Sequence, residues 1–150
     1  MFVALLALVA VLVVGMGFMF NRQIKNETTA TYSVLNWEVG NIQTTATDNL
    51  KAGQKISDED SIRTSKLINA DGLEITFKDN SEVTVKIHCY DKDGVYKGVR
   101  DVTNGEKGKG TWEDFAEGTE KVRVVILTGE KITLLNQLGY VNQITIKYNK

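Results

Sequence analysis

The stretch Gly72–Val99, GLEITFKDNSEVTVKIHCYDKDGVYKGV, decides the fold. Leu73, Ile75 and Phe77 alternate with Glu74, Thr76 and Lys78. Val83, Val85, Ile87 and Cys89 alternate with Glu82, Thr84, Lys86, His88 and Tyr90. Successive side chains of a strand point to opposite faces, so this period of two predicts strands with one buried face. Asp79-Asn80-Ser81 and Asp91-Lys92-Asp93-Gly94 supply the turns, because Asp, Asn and Gly tolerate the backbone angles required. The register places Cys89 inside as an inert thiol. It places His88 on the polar face beside Lys86 and Tyr90, as a solvent-facing or hydrogen-bonded strand residue.

Working outward, Val34–Ile42, Ser61–Ile68, Lys121–Thr128, Ile132–Leu135 and Gln143–Tyr148 read as further strands. Trp37 is expected to fill the core at a sheet edge. Lys121–Thr128 differs from the others in being apolar on both faces, with Val125 and Leu127 as well as Val122, Val124 and Ile126. Thr44–Asp60 and Gly105–Gly110 read as loops. About seven or eight strands, with no amphipathic helix after residue 30, predict a mainly β fold, an antiparallel β-sandwich.

Met1–Phe20 holds no charge and no amide or hydroxyl side chain. Twenty such residues as a helix span about 30 Å, the thickness of a bilayer core. The expected organisation is a transmembrane helix over residues 1–20, a polar tether over 21–33 and the β-sandwich over 34–150. Its partners through residues 1–20 are then the lipid bilayer or neighbouring hydrophobic helices. No Lys or Arg precedes the run, and Gly15-Met16-Gly17 is the one small-x-small candidate, which favours an uncleaved helix. Arg22 and Lys25 follow the helix and oppose export, whereas the Thr- and Asn-rich remainder suits a surface domain. The expectation is a single-pass membrane protein with an extracytoplasmic β-domain. An apolar N-terminal helix joined to a β-rich head also resembles pilin-like proteins, although Leu5 stands where bacterial pilins carry glutamate.

With 18 basic and 19 acidic residues the net charge is −1, without the basic footprint of a nucleic-acid binder. The single Cys excludes an internal disulfide and multi-cysteine metal sites. His88, the only histidine, has no partners at metal-binding or catalytic spacing. Asp91-x-Asp93-Gly94 lacks the remaining ligands of a calcium loop and reads as a hairpin turn. GEKGKG at 105–110 opens no helix and is no phosphate cradle. No catalytic residue, metal or cofactor is expected.

The succession WEVGNI (37–42), SIRTSKLI (61–68), VTVKIHCYDKDGVYKG (83–98) and EKVRVVI (120–126) resembles the jelly-roll modules of bacteriophage tail and structural proteins and of Firmicute surface proteins. The hairpin and the Arg-Val-Val-Ile strand carry the likeness. The resemblance implies a carbohydrate-binding-like sandwich with a role in glycan binding or assembly. A glycan site needs exposed aromatic platforms and directional donors. The candidates are Trp112, Tyr96, Tyr90 and Tyr32 as platforms, with Arg63 and Arg100 as donors.

Overall fold

A computed structural model describes residues 29–79, 81–102, 108–109 and 115–150. The expected helix over 1–20 lies outside the described residues, and so does most of the tether. Among the described residues no helix is long and apolar enough to cross a membrane.

Two antiparallel sheets enclose one apolar core. The smaller runs β1 (Thr29–Thr31), β12 (Ile144–Asn149), β7 (Glu74–Phe77), β10 (Gly108–Lys109). The larger runs β2 (Trp37–Val39), β5 (Ser61–Thr64), β11 (Lys121–Leu127), β8 (Thr84–Tyr90), β9 (Tyr96–Val102). The short β6 (Ile68–Asn69) also pairs with β11. Its inner faces meet as the period of two requires. Ile75, Ile144 and Ile146 of the smaller sheet join Ile62, Val85, Ile87, Cys89, Val122, Val124 and Ile126 of the larger in one buried cluster. Trp37 packs at the edge of this core, edge-on to Tyr32 at 5.7 Å between ring centroids. Cys89 is buried, and burial pushes its thiol pKa up. We expect it to react with a maleimide about 100-fold more slowly in the folded chain than after denaturation, because the thiolate is the nucleophile.

Several segment boundaries differ from those expected. The expected turn at 79–81, whose Asn80 lies outside the described residues, does not close a hairpin, because β7 lies in one sheet and β8 in the other. Alternation fixes which face a residue takes but says nothing about which strand it pairs with. By contrast Asp91–Gly94 does join two paired strands, β8 and β9. Asp91 closes that turn, its Oδ1 accepting from the Asp93 and Val95 amides at 3.0 and 2.9 Å. Ser61–Ile68 is two strands, interrupted at residues 65–67 where the register on β11 slips. Thr29–Thr31, at the end of the expected tether, is a strand paired with β12. Ile132–Leu135 is not a strand, and a short helix, α1 (Gln137–Val141), follows it.

The strand directions define two poles. Thr29, Asn69, Asp71, Lys121 and Asn149 lie at one, tied by Asn149 N–H to Asp71 O at 3.0 Å and Asn69 Nδ2–H to Asn149 O at 2.9 Å. Ser61, Thr84, Leu127 and Ile132 lie at the other, where the Ile132 amide donates to Glu59 O at 2.7 Å.

Candidate functional site

The two sheets differ on their outer faces. The smaller shows Thr76, Thr145 and Lys147 to solvent. The larger is covered by residues 40–58, a strap containing the two-residue pair β3 (Asn41–Ile42) and β4 (Lys55–Ile56). This explains the apolar outer residues of Lys121–Thr128. Ile42 of the strap packs with Val125 and Tyr90, and Leu127 and Tyr96 border the same cluster.

Three of the six expected ligand residues, Arg63, Tyr90 and Tyr96, lie under this strap. Arg63 is 8% exposed. Its guanidinium donates to Glu38 Oε1 at 2.8 Å, Asn41 O at 2.6 Å and Ile56 O at 2.7 Å, tying the strap to the sheet. The close approach demands Gly40, which has φ +130°, and a Cβ there would lie 2.5 Å from Arg63 Nη1. Tyr90 is buried and donates to Gly53 O at 2.9 Å. Burial raises its pKa, opposed by the adjacent Arg123 guanidinium. Tyr96 is half-buried, edge-on to Tyr90 at 5.4 Å. A register shift between Cys89 and Tyr90 sets Tyr96 opposite Tyr90 and so brings its ring to the strap side. Burial, with Tyr90 and Cys89 beside it, pushes the Tyr96 phenol up to about 12. Gly53, at φ +82°, sits against both rings, and a Cβ there would be 2.6 Å from Tyr96 Cβ.

His88 takes the second of the two states expected for it, hydrogen-bonded and not solvent-facing, and it is fully buried. Its Nδ1 is 3.2 Å from Tyr96 Oη, and its Nε2 is buried without a hydrogen-bond partner. Burial, with Lys86 and Arg123 adding to it against Asp101, pushes its pKa down to about 4. Arg123 is also buried and donates to the Thr64 carbonyl. Nothing in a period-two pattern announces a covered outer face; Val125 and Leu127 were the available signal.

The remaining candidates are scattered. Arg100 sits half-buried on edge strand β9, level with Ile87. Tyr32 is buried, its hydroxyl donating to Asn36 O at 2.6 Å. Trp112 lies outside the described residues. An open cleft of about 480 Å³ is lined by Asn69, Asp71, Gly118, Thr119, Glu120 and Lys121, at the pole that holds Thr29. Lys121 Nζ donates to Asn69 Oδ1 at 2.5 Å, and Asn149 Nδ2 to Asp71 Oδ2 at 2.9 Å. Among the described residues no group of three or more His, Cys, Asp or Glu is placed to hold a metal. Comparison with protein-family models, curated proteins and solved structures finds no match to this chain.

Proposed function

We propose that the chain is a membrane-tethered, non-enzymatic sandwich module of the jelly-roll type that binds a glycan or a surface protein outside the cytoplasm. The observation that carries this reading is the open cleft at the Thr29 pole, whose lining includes the amide of Asn69, the carboxylates of Asp71 and Glu120 and the ammonium of Lys121. Such groups suit a hydroxyl-rich ligand held by directional hydrogen bonds. Trp112, the aromatic platform expected from the sequence, lies outside the described residues. A glycan array probed with the detergent-solubilised full chain is the test. We expect Asp71→Ala and Glu120→Ala each to weaken a positive signal at least about tenfold, the scale of one lost charge-assisted hydrogen bond. An array without hits would overturn the glycan reading.

A second reading, a structural subunit of a filament or phage-derived assembly, is favoured by the opposite pole. There Leu134 and Leu135 are 91% and 95% exposed on a turn braced by Asn136, which accepts from the Thr133 amide at 2.7 Å. Residues 1–20 then pack against neighbouring copies. Negative-stain microscopy of the extracted chain separates the two readings: long filaments belong to the second, dispersed particles to the first.

A further inference from the structure

We propose that residues 40–58 are an acid-released strap: protonation of His88 lifts them from the larger sheet and uncovers Tyr90, Tyr96 and the Arg63 guanidinium. The inference is independent of the cleft at the pole.

The layers are stacked in order. Gly53 of the strap rests on the Tyr96 and Tyr90 rings, and Tyr96 Oη meets His88 Nδ1 at 3.2 Å. An imidazolium has two N–H donors and needs two acceptors. Tyr96 Oη can serve one; Nε2 faces no acceptor. The charged and titratable groups around the ring are Lys86 and Tyr90 of its own strand, Arg123 of β11, and Asp101 and Tyr96 of β9. The strap contributes Gly53 backbone to this layer and no charge that bears on His88. Two cations against one carboxylate, Asp101, which is itself exposed, make a further buried positive charge costly.

Water can relieve that cost by two routes. Opening the core would break β11 from both its neighbours. Lifting the strap breaks far less. The strap is held by the Arg63 hydrogen bonds, the Tyr90–Gly53 bond, the Gly40 amide to Ser61 O at 2.8 Å, Lys55 Nζ on Ser65 O at 3.1 Å and on Glu38 Oε1 at 2.5 Å, and the Ile42 contact. Its own two-residue ladder cannot persist alone. Local opening therefore precedes global unfolding. The lifted state exposes aromatic rings beside a guanidinium, the chemistry of a ligand surface.

The sign follows from linkage. His88 titrates at about 4 in the closed state and regains the ordinary value of 6.5 when exposed. The closed state is thus fully favoured above pH 6.5 and loses that advantage as pH falls towards 4. Opening gains about 50-fold between pH 7 and 4.5. Hydrogen exchange on the full chain, read as protection factors to remove the intrinsic pH effect, tests this. Protection of the Gln43, Gly53 and Gln54 amides should fall about 50-fold over that range, with Val122–Ile126 changing far less. His88→Gln should abolish the change. An equal fall in His88→Gln, or a uniform fall across β11, would overturn the proposal. Should that variant not fold, NMR titration of the single histidine decides. Strap resonances moving with the imidazole support release; an imidazole titrating near 6.5 with a static strap refutes it.

Discussion

Ile126→Ala is expected to lower the unfolding free energy by about 4 kcal/mol, the upper part of the range for deleting a buried branched side chain. Ile126 is fully buried on β11, with Ile62 opposite it on β5 and Val85 on β8, both also fully buried. Three strands of the larger sheet converge at that point, and paired strands on either side leave little freedom to collapse around the cavity. Leu135→Ala removes a side chain of like size that is 95% exposed and should cost less than about 0.5 kcal/mol. Urea denaturation of both variants checks the contrast. A loss for Ile126→Ala no greater than that for Leu135→Ala would mean that the two sheets do not share this core.

Arg63→Ala should cost about 3 kcal/mol, although it removes a polar residue. The guanidinium is a clasp: it holds two strap carbonyls, Asn41 O and Ile56 O, as well as the Glu38 carboxylate. Its loss strips two part-buried carbonyls of the guanidinium, at up to about 1–3 kcal/mol each. Arg63→Lys should recover only part of this, because one ammonium cannot reproduce the planar fork. Glu38 behaves differently. Burial alone would raise its pKa, but hydrogen bonds and charge from Lys55 and Arg63 hold it below the usual carboxylate value. It is partly exposed and its pair with Lys55 is screened, so Glu38→Gln should cost only about 1 kcal/mol. Thermal unfolding of the three variants gives the order Arg63→Ala, Arg63→Lys, Glu38→Gln from most to least destabilised. A reversed order would show that charge pairing, and not the clasp, holds the strap.

The sequence reading was strongest where one face alone was at stake. Alternation through Leu73–Tyr90 identified Leu73, Ile75, Phe77, Val83, Val85, Ile87 and Cys89 as inner residues, and all are buried except Phe77, which packs partly buried against the core. It failed where pairing or a second layer mattered. The sequence at 79–81 looks like a hairpin turn because a turn's residues do not record which sheet the next strand joins. His88 and Tyr90 occupy the polar positions of their strand, yet both are buried, Tyr90 against the strap and His88 beneath the Tyr96 ring on which the strap rests. Helix α1 is too short, at 5 residues with Gly139 inside, for any helical period to emerge. Of the residues assigned to ligand contact, Arg63, Tyr90 and Tyr96 lie together on one face, a grouping that strand periodicity did not foretell, and that face is closed by the chain itself.

The place of β11 has a consequence for how the chain is made. This strand is central to the larger sheet, yet it comes after every strand it pairs with, β5, β6 and β8. During synthesis the hairpin β8–β9 can form early, whereas β5 has only the edge strand β2 beside it until residue 127 has emerged. Such sequence-distant pairing slows folding and leaves strand edges bare in the nascent chain.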